Sequence, residues 1–327
     1  MIHILLSQRG GYRDVIEHLT ANGATVTNLG PDRTRPGAFR GKLAILTSML
    51  SPKIWRARHR WTAADRVLVI GWQALPVLAA IRLGILPRPA KLLVMACFVH
   101  STLARKVVNV AWRILQFPGL GFITFSPGET RNLVQEVGID PRSVYYHLWR
   151  QELDGSAGQT GDDGFIFTGG YSNRDYDLLL NATQHVPAPV VIVASSRNEI
   201  RVPLGEKATV HRDLPEGEFE ALLARSRVVA MPLKSQGEAC GQSVLLRVLR
   251  NGKPLVATRH ESIEEYLGTD YPGFVARDDV NAMRLTLERA LSDDQFRSQL
   301  ATDVRAAGQR LAQRGSPGQE IEQFLLA

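Results

Sequence analysis

VVAMPLKSQGEACGQSVLLRVLRNGKPLVAT, residues 228–258, reads as strand, loop, helix and strand. Residues 228–233 form an apolar, β-branched run that predicts a buried strand. The polar loop 234–241 carries Gly237, Glu238 and Gly241. From Gln242 and Ser243 the apolar residues Val244, Leu245, Leu246, Val248 and Leu249 recur at helical spacing. Asn251-Gly252 supplies a left-handed stop, and Pro254 prevents the helix from resuming. Residues 255–258 give the next strand. A Gly-containing loop between a buried parallel strand and a helix N-terminus is suited to an anion. The first N–H groups of the helix lack internal partners, and the helix dipole favours negative charge there. The Ser243 hydroxyl is a further donor. The same unit also serves as an ordinary crossover in an α/β sheet, so its neighbours must decide between the two readings.

On both sides of this stretch, strand-like and helical patterns alternate, which predicts parallel sheets covered by helices. Strands are predicted at 3–6, 25–29, 66–70, 91–98 and 122–126, with helices at 13–20, 74–83 and 130–137, the last closed by Gly138. The Gly-, Ser- and Asp-rich run DGSAGQTGDD, residues 154–163, predicts a linker. Beyond it the alternation restarts. Strands are expected at 164–168, 190–194 and 209–211. Ser172 and Asp175 have capping-box spacing for a helix running to His185, and another helix is expected at 216–224. Helical patterns at 279–291 and 294–307 follow. The 327 residues suit two domains of ordinary size, giving two doubly wound sets with ligands outside the carboxyl ends of the strands.

Composition narrows the class. The chain is 44% hydrophobic and 22% charged, as in soluble globular proteins. Two cysteines, Cys97 and Cys240, argue against a disulfide framework or a zinc site and fit a reducing cytoplasm. Residues 1–6 are too short for a signal peptide, and the apolar run 67–81 is broken by Gly71, Gln73 and Pro76. The net charge of +7 is unevenly spread: residues 1–150 hold 20 Lys and Arg against 7 Asp and Glu. An anionic partner is therefore expected at the first half. KIWRARHRW (53–61) mixes basic residues with two tryptophans. LARKVVNVAWRILQF (103–117) sets Leu103, Val107, Val110, Ala111 and Ile114 on one helical face, with Arg105, Lys106 and Arg113 elsewhere. Such a stripe either lies in a membrane interface or packs on the domain's own sheet. No motif of nucleic-acid recognition accompanies these charges, so no nucleic-acid partner is expected.

The second half resembles the retaining glycosyltransferases of the GT-B fold, in the family 4 group. The likeness lies in FTGGYSNRDYDLLLNA (167–182), RVVAMPL (227–233), GQSVLL followed by NGKPLVAT, and GFVARDDVNAMRLTLERAL (273–291). It spans roughly residues 120–300 and is looser before them. It implies an α/β GT-B fold of two doubly wound, Rossmann-like domains facing across a cleft. Residues 1–153 would bind the acceptor, 154–163 link, 164–300 bind the nucleotide sugar, and 301–327 return to the first domain. It also implies a UDP- or GDP-sugar as substrate, no cofactor or metal, and a glycan or lipid-linked acceptor in cell-surface polysaccharide or glycoconjugate synthesis. The protein would work in the cytoplasm, at the inner face of the membrane.

Residue by residue, Arg174 matches a basic position that contacts the donor pyrophosphate, with a guanidinium fork suited to phosphate oxygens. Gly241, Gln242 and Ser243 match the group whose backbone donates to that pyrophosphate. Gly169-Gly170 matches a turn usually followed by a second arginine, absent here. Glu238 lies in the loop that contacts the donor sugar, and a carboxylate there accepts its hydroxyls. His100, after a strand, matches a histidine near the reacting sugar. Gly10 and Gly11 follow the first strand, where backbone approaches donor or acceptor, or simply turns. The family commonly places two glutamates eight residues apart, the second on the ribose; here those positions are Ala239 and Arg247. This departure keeps open two rivals to a transferase: a non-catalytic GT-B assembly partner and a nucleotide-sugar epimerase.

Overall fold

A computed structural model describes residues 1–6, 12–29, 60–96, 102–150, 161–234 and 239–327. The chain divides into two compact units. The first comprises residues 1–151 with 315–327, and the second residues 152–314.

In the first unit, β1 (Ile2–Leu6), β2 (Thr25–Asn28), β3 (Arg66–Ile70), β4 (Lys91–Met95), β5 (Leu120–Thr124) and β6 (Val144–Tyr146) form one parallel sheet. Their order is β2-β1-β3-β4-β5-β6. Leu5 sits opposite Val69, and Leu68 opposite Leu93. Ile4, Leu5, Val67, Leu68, Val69, Leu92 and Leu93 are all fully buried. That continuous apolar character is what a parallel sheet covered on both faces requires. Around it pack α1 (Arg13–Ala21), α2 (Ala74–Arg82), α3 (Thr102–Ile114) and the short α4 (Pro127–Arg131).

In the second unit, β7 (Ile166–Gly170), β8 (Val190–Ala194), β9 (Ala208–Arg212), β10 (Val228–Met231), β11 (Leu255–Thr258) and β12 (Phe274–Val275) form a second parallel sheet. It is ordered β12-β11-β10-β7-β8-β9. Counted from β7, the strands lie sixth, fifth, fourth, first, second and third, the order of a dinucleotide-binding sheet, which reverses between β7 and β10. Its helices are α5 (Tyr176–Thr183), α6 (Glu216–Arg225), α7 (Gln242–Asn251), α8 (Glu261–Leu267), α9 (Val280–Ser292) and α10 (Asp294–Ala312). The last helix, α11 (Pro317–Leu326), belongs to the first unit. It packs on α1: His18 Nε2 is 2.8 Å from Glu322, and Gly318 lies so close to His18 that an added Cβ would come within 2.3 Å of it. His147 Nδ1 donates to Glu320 at 2.9 Å, and Arg150 pairs with the same carboxylate at 2.6 Å.

Several local expectations are corrected. The helix expected at 130–137 starts earlier. Ser126 Oγ accepts from the Glu129 N–H at 3.2 Å, Glu129 accepts from the Phe125 N–H at 2.8 Å, and Pro127 occupies the first turn. Residues Asn132–Val137 then widen into a π turn, closed by Gly138 at φ 81°. Arg113 from α3 caps this turn, donating to the carbonyls of Val137, at 3.0 Å, and Glu136. Ser172 does not cap α5. Asn173 takes a left-handed φ of 53°, which defers the helix until Asp175, whose carboxylate accepts from the Leu178 N–H at 3.1 Å. The strand expected at 91–98 stops at Met95 because Ala96 has a φ of 62°.

The aromatic and amphipathic surface features also resolve. Trp61 is a core residue: it is buried and its indole donates to the Pro87 carbonyl at 2.8 Å. Residues 53–59 lie outside the described residues. In α3 the buried positions are Val108 and Trp112, whereas Val107, Val110 and Ile114 are 64%, 53% and 64% exposed. The packing alternative for this stripe is thereby removed for those three residues. Among the described residues, no helix is long and apolar enough to cross a membrane.

Candidate functional site

The reversal between β7 and β10 sets where the second unit opens. Connections from these two strands leave in opposite directions, so a crevice forms outside their carboxyl ends. Into it come the segment after β7, the segment after β10 and the start of α7.

β7 ends in Gly169-Gly170, and both glycines are sterically required. A Cβ on Gly169 would lie 2.5 Å from the Phe219 ring of α6. Phe219 itself meets Phe167 edge-on, with centroids 5.2 Å apart. Gly170 has a φ of 133°, and a Cβ there would lie 2.7 Å from Arg174 Nε and Nη2. Tyr176, fully buried, donates from its hydroxyl to the Gly170 carbonyl at 2.7 Å. Burial pushes the Tyr176 phenol up to about 12, so it stays a neutral donor.

Arg174 folds back beneath this turn. Its Nε donates to the Gly169 carbonyl at 2.9 Å and its Nη1 to the Ser172 carbonyl at 3.0 Å. The residue is only 5% exposed. Burial holds its guanidinium below its usual range, and the field of Tyr176 and Cys240 opposes that shift. Among the described residues no carboxylate pairs with it. A buried cation is normally paired with an anion, because desolvating a lone charge costs several kcal/mol. Among the described residues, the partners of the Arg174 guanidinium are thus backbone carbonyls rather than a carboxylate.

Three loops are fastened together around it. The segment after β7 runs antiparallel to the segment after β10 through a bridge between Arg174 and Leu233, and the Asp175 N–H donates to the Pro232 carbonyl at 3.1 Å. Leu233 N–H donates to Thr258 Oγ1 at the end of β11, at 3.1 Å. Cys240 joins all three: Asn173 Nδ2 is 3.0 Å and His260 Nε2 3.3 Å from its sulfur, and Ser262 Oγ donates to its carbonyl at 2.9 Å. His260 Nδ1 accepts from the Ser262 N–H at 3.1 Å, as the N-cap of α8. That acceptor role puts the ring proton on Nε2, so His260 donates to the sulfur.

Gly241 follows at once, with a φ of 79°, as the N-cap of α7. A Cβ here would crowd Ile263 and Met231, each at 3.0 Å. As a glycine, the N-cap Gly241 offers α7 no side-chain cap of its own, in contrast to α5 with its Asp175. Gln242 is buried, whereas Ser243 is exposed at the first turn. One turn on, Arg247 Nη1 donates to the Ser243 carbonyl at 3.0 Å. Its Nη2 reaches Glu216 at 2.6 Å, its Nε lies 2.7 Å from Glu220, and its guanidinium stands 5.4 Å from the Phe219 ring centroid.

Of the residues expected at the site, Gly170, Arg174, Gly241, Gln242 and Ser243 therefore converge on one edge of the second sheet. Gly10, Gly11, His100 and Glu238 lie outside the described residues. Sequence reasoning missed Asn173, Cys240, His260 and Ser262, which brace the loops. No spacing rule reveals them, because they come from three separate loops.

Neither a family model nor a curated protein sequence matches the chain. Solved structures do. HepE of Anabaena, solved with UDP and glucose, is 15% identical and aligns over 99% of both chains with a TM-score of 0.70. A trehalose-6-phosphate structure from E. coli bound with UDP-2-fluoro glucose is 10% identical, over 99% of this chain and 98% of that one, with a TM-score of 0.68. WaaG, a glycosyltransferase involved in lipopolysaccharide biosynthesis, is 11% identical over 94% of this chain and 95% of its own, with a TM-score of 0.58. With two parallel six-stranded sheets, each covered by helices, and these neighbours along nearly its full length, the chain has the two-domain GT-B fold.

Proposed function

We propose that this protein is a glycosyltransferase that moves a sugar from a UDP- or GDP-sugar to a glycan or lipid-linked acceptor. The observation that carries the reading is Arg174: a buried guanidinium that pairs with no carboxylate among the described residues, near the start of α7 with its glycine N-cap. A diphosphate supplies the missing anion. Its oxygens would accept from Arg174, from the N–H groups of Gly241, Gln242 and Ser243, and from the Ser243 hydroxyl. HepE was solved with UDP, and the E. coli neighbour with a UDP-sugar, which supports a nucleotide-sugar donor.

In this account the second unit holds the donor and the first, residues 1–153 by the sequence reading, holds the acceptor. An acceptor hydroxyl attacks the anomeric carbon as the bond to the diphosphate breaks. Arg174 and the α7 N-terminus stabilise the charge that builds on the departing phosphate, which is electrostatic catalysis by preorganised donors. The departing phosphate oxygen takes the acceptor proton, and the configuration at the anomeric carbon is retained. His100 and Glu238 would hydrogen-bond the reacting sugar, and Gly10 and Gly11 would allow close backbone approach from the first unit. No metal or cofactor enters this scheme.

The acceptor reading extends to the membrane. Val107, Val110 and Ile114 form an exposed apolar stripe on α3, with Lys106 and Arg113 exposed beside it. The first 150 residues carry the excess of Lys and Arg noted above, and basic residues near an anionic lipid surface contribute about 1 kcal/mol each. We therefore place the protein at the cytoplasmic face of a membrane, peripherally bound, in synthesis of a surface glycan.

The experiment is a panel of UDP- and GDP-sugars, scored for thermal stabilisation and then for turnover with glycan and lipid-linked acceptors. Stabilisation by one donor and release of its nucleoside diphosphate with acceptor present support the reading. Binding without turnover would favour a non-catalytic partner, and release of an altered nucleotide sugar without acceptor an epimerase.

A further inference from the structure

The first sheet has a crevice of its own. From β1 the chain passes to β2 on one side, and from β3 to β4 on the other, so the order β2-β1-β3-β4-β5-β6 reverses between β1 and β3. At such a reversal a crevice opens outside the carboxyl ends of the strands. On the β3 side its rim is Gly71, Trp72 and Gln73, which lead into α2. Gly71 turns the chain with a φ of 89°, and its N–H donates to the Met95 carbonyl at 2.8 Å. Gln73 is the N-cap of α2. Side chains at a helix start tilt back towards its N-terminus, which directs Gln73 over the end of β3 and towards the crevice.

Gln73 is only 6% exposed, and its Oε1 is buried with no hydrogen-bond partner among the described residues. An N-cap side chain ordinarily accepts from the second or third N–H of its helix. Gln73 makes no such bond. The third helical residue is Pro76, which has no N–H, and the Ala74 and Val77 N–H groups donate to the carbonyls of Gly71 and Gln73, each at 3.1 Å. A buried acceptor left unmade is costly, so buried polar groups are rarely left this way. The chemistry of its missing partner is restricted. An oxygen acceptor repels an anion, and the positive end of the α2 dipole repels a cation. A neutral donor such as a hydroxyl suits both, and the amide's other end donates to the same hydroxyl or its neighbour.

On the β1 side of the crevice, Tyr12 is the N-cap of α1. Its ring meets Trp149 edge-on with centroids 4.9 Å apart, and Trp149 meets Phe125 edge-on at 5.3 Å. Phe125 and Trp149 follow β5 and β6, so all three rings stand at the carboxyl edge of the sheet. Phe125 is buried, whereas Tyr12 and Trp149 are partly exposed. Such rings present an apolar body with a polar tip. A pyranose matches this combination of amide and aromatics, with a face of C–H groups and a rim of hydroxyls. We infer that the crevice between β1 and β3 binds a pyranose of the acceptor. Gln73 hydrogen-bonds one of its hydroxyls, and Tyr12 and Trp149 supply its apolar wall. This rests on the acceptor reading above and gives that acceptor its residues.

The test compares full-length wild type, Gln73→Met and Tyr12→Leu by saturation-transfer NMR without nucleotide. The probes are the methyl glycosides of glucose, galactose, mannose and N-acetylglucosamine, and then the monodeoxy forms of whichever binds best. Wild type should bind at least one glycoside, and Gln73→Met should bind it at least about fivefold more weakly. One monodeoxy form should show the same loss on wild type, and the two losses should not add, because they remove the two ends of one hydrogen bond. Gln73→Met should melt no lower than wild type, since it removes an orphaned acceptor. Tyr12→Leu should weaken every form alike and keep the preference for that hydroxyl. A wild type that binds none of the four glycosides or ignores every deletion overturns the assignment. So does a Gln73→Met variant that binds as wild type does, or losses that add. Nucleotide sugars titrated into the same samples separate the two readings. Nucleotide-sugar binding without glycoside binding overturns the pyranose site alone, and Gln73-dependent glycoside binding without any nucleotide-sugar binding overturns the donor reading alone.

Discussion

Gly170 and Arg174 occupy one another's space: the position of an absent Cβ on Gly170 lies 2.7 Å from the guanidinium of Arg174. The glycine is thus part of the arginine's seat. It combines a φ of 133°, which side chains rarely adopt, with the room that lets a charged group lie beneath a buried strand end.

Gly170→Ala should therefore dislodge Arg174 as well as strain the turn. The backbone strain costs about 1–3 kcal/mol, and nucleotide-sugar affinity should fall at least about tenfold, which is about 1.4 kcal/mol. Titration calorimetry alongside a melting curve separates the two effects. Unchanged affinity in a folded variant would detach Gly170 from the site.

The sulfur of Cys240 is the shared acceptor for Asn173 and His260, so its replacements should differ by chemistry. Cys240→Ser keeps an acceptor and should stay near wild type. Cys240→Val removes the acceptor shared by buried His260 and half-buried Asn173 and should cost about 1–3 kcal/mol. Because Gly241 is the next residue, the same change should weaken donor binding. Equal stability of the two variants would show that the sulfur only fills space.

Glu320 ties the last helix to the first unit, and its charge is needed for this. Burial acts to raise its carboxyl, but hydrogen bonds and charge from His147 and Arg150 outweigh burial and hold it below the ordinary glutamate range. A depressed carboxyl contributes stability that is present above its unfolded value and lost as pH falls through the folded one. Wild type should exceed Glu320→Gln by about 1–2 kcal/mol near neutral pH. The gap should close as pH drops below the usual glutamate range. Melting temperatures measured across that range read it directly, and a gap that stays constant would contradict the linkage.

The exposed stripe of α3 should bind lipid. With vesicles containing anionic phospholipid, wild type should co-sediment, and more weakly as salt rises. Replacing Val107, Val110 and Ile114 together by Ser should abolish binding without lowering stability, because all three are more than half exposed. Binding that is unaffected by the triple change would remove α3 from the membrane account.

Much of this molecule was legible in the order of its residues. Ten-residue α7 announces itself by apolar spacing from Val244 to Leu249 and by Asn251-Gly252, where Gly252 takes a left-handed φ of 59°. Buried parallel strands such as 66–70 and 190–194 read directly, since both faces are apolar. Shorter or conformationally irregular features did not. Helix α8 covers seven residues and falls below useful periodicity. The start of α5 was displaced by one left-handed residue, Asn173, whose conformation is fixed by tertiary contacts across to Cys240. On α3 the pattern left two fates open for the aliphatic stripe, and only the structure, with Val108 and Trp112 buried, shows Val107, Val110 and Ile114 exposed. At the site, the expected anion ligands were visible as motif positions, whereas the Cys240–His260–Ser262 bracing and the Arg247–Glu216 contact join loops or helices distant in sequence. Only the fold could bring them together.

In the proposed function Arg174 awaits a diphosphate. The most direct measurement is calorimetric titration of the best-stabilising nucleotide sugar into wild type, Arg174→Lys and Arg174→Gln, each first shown to be folded by its melting curve. Wild type should bind saturably, the lysine variant, where the fork is gone but the charge remains, should lose at least about tenfold, and the glutamine variant should lose more. Folded Arg174→Gln protein that binds the nucleotide sugar as tightly as wild type would contradict that reading.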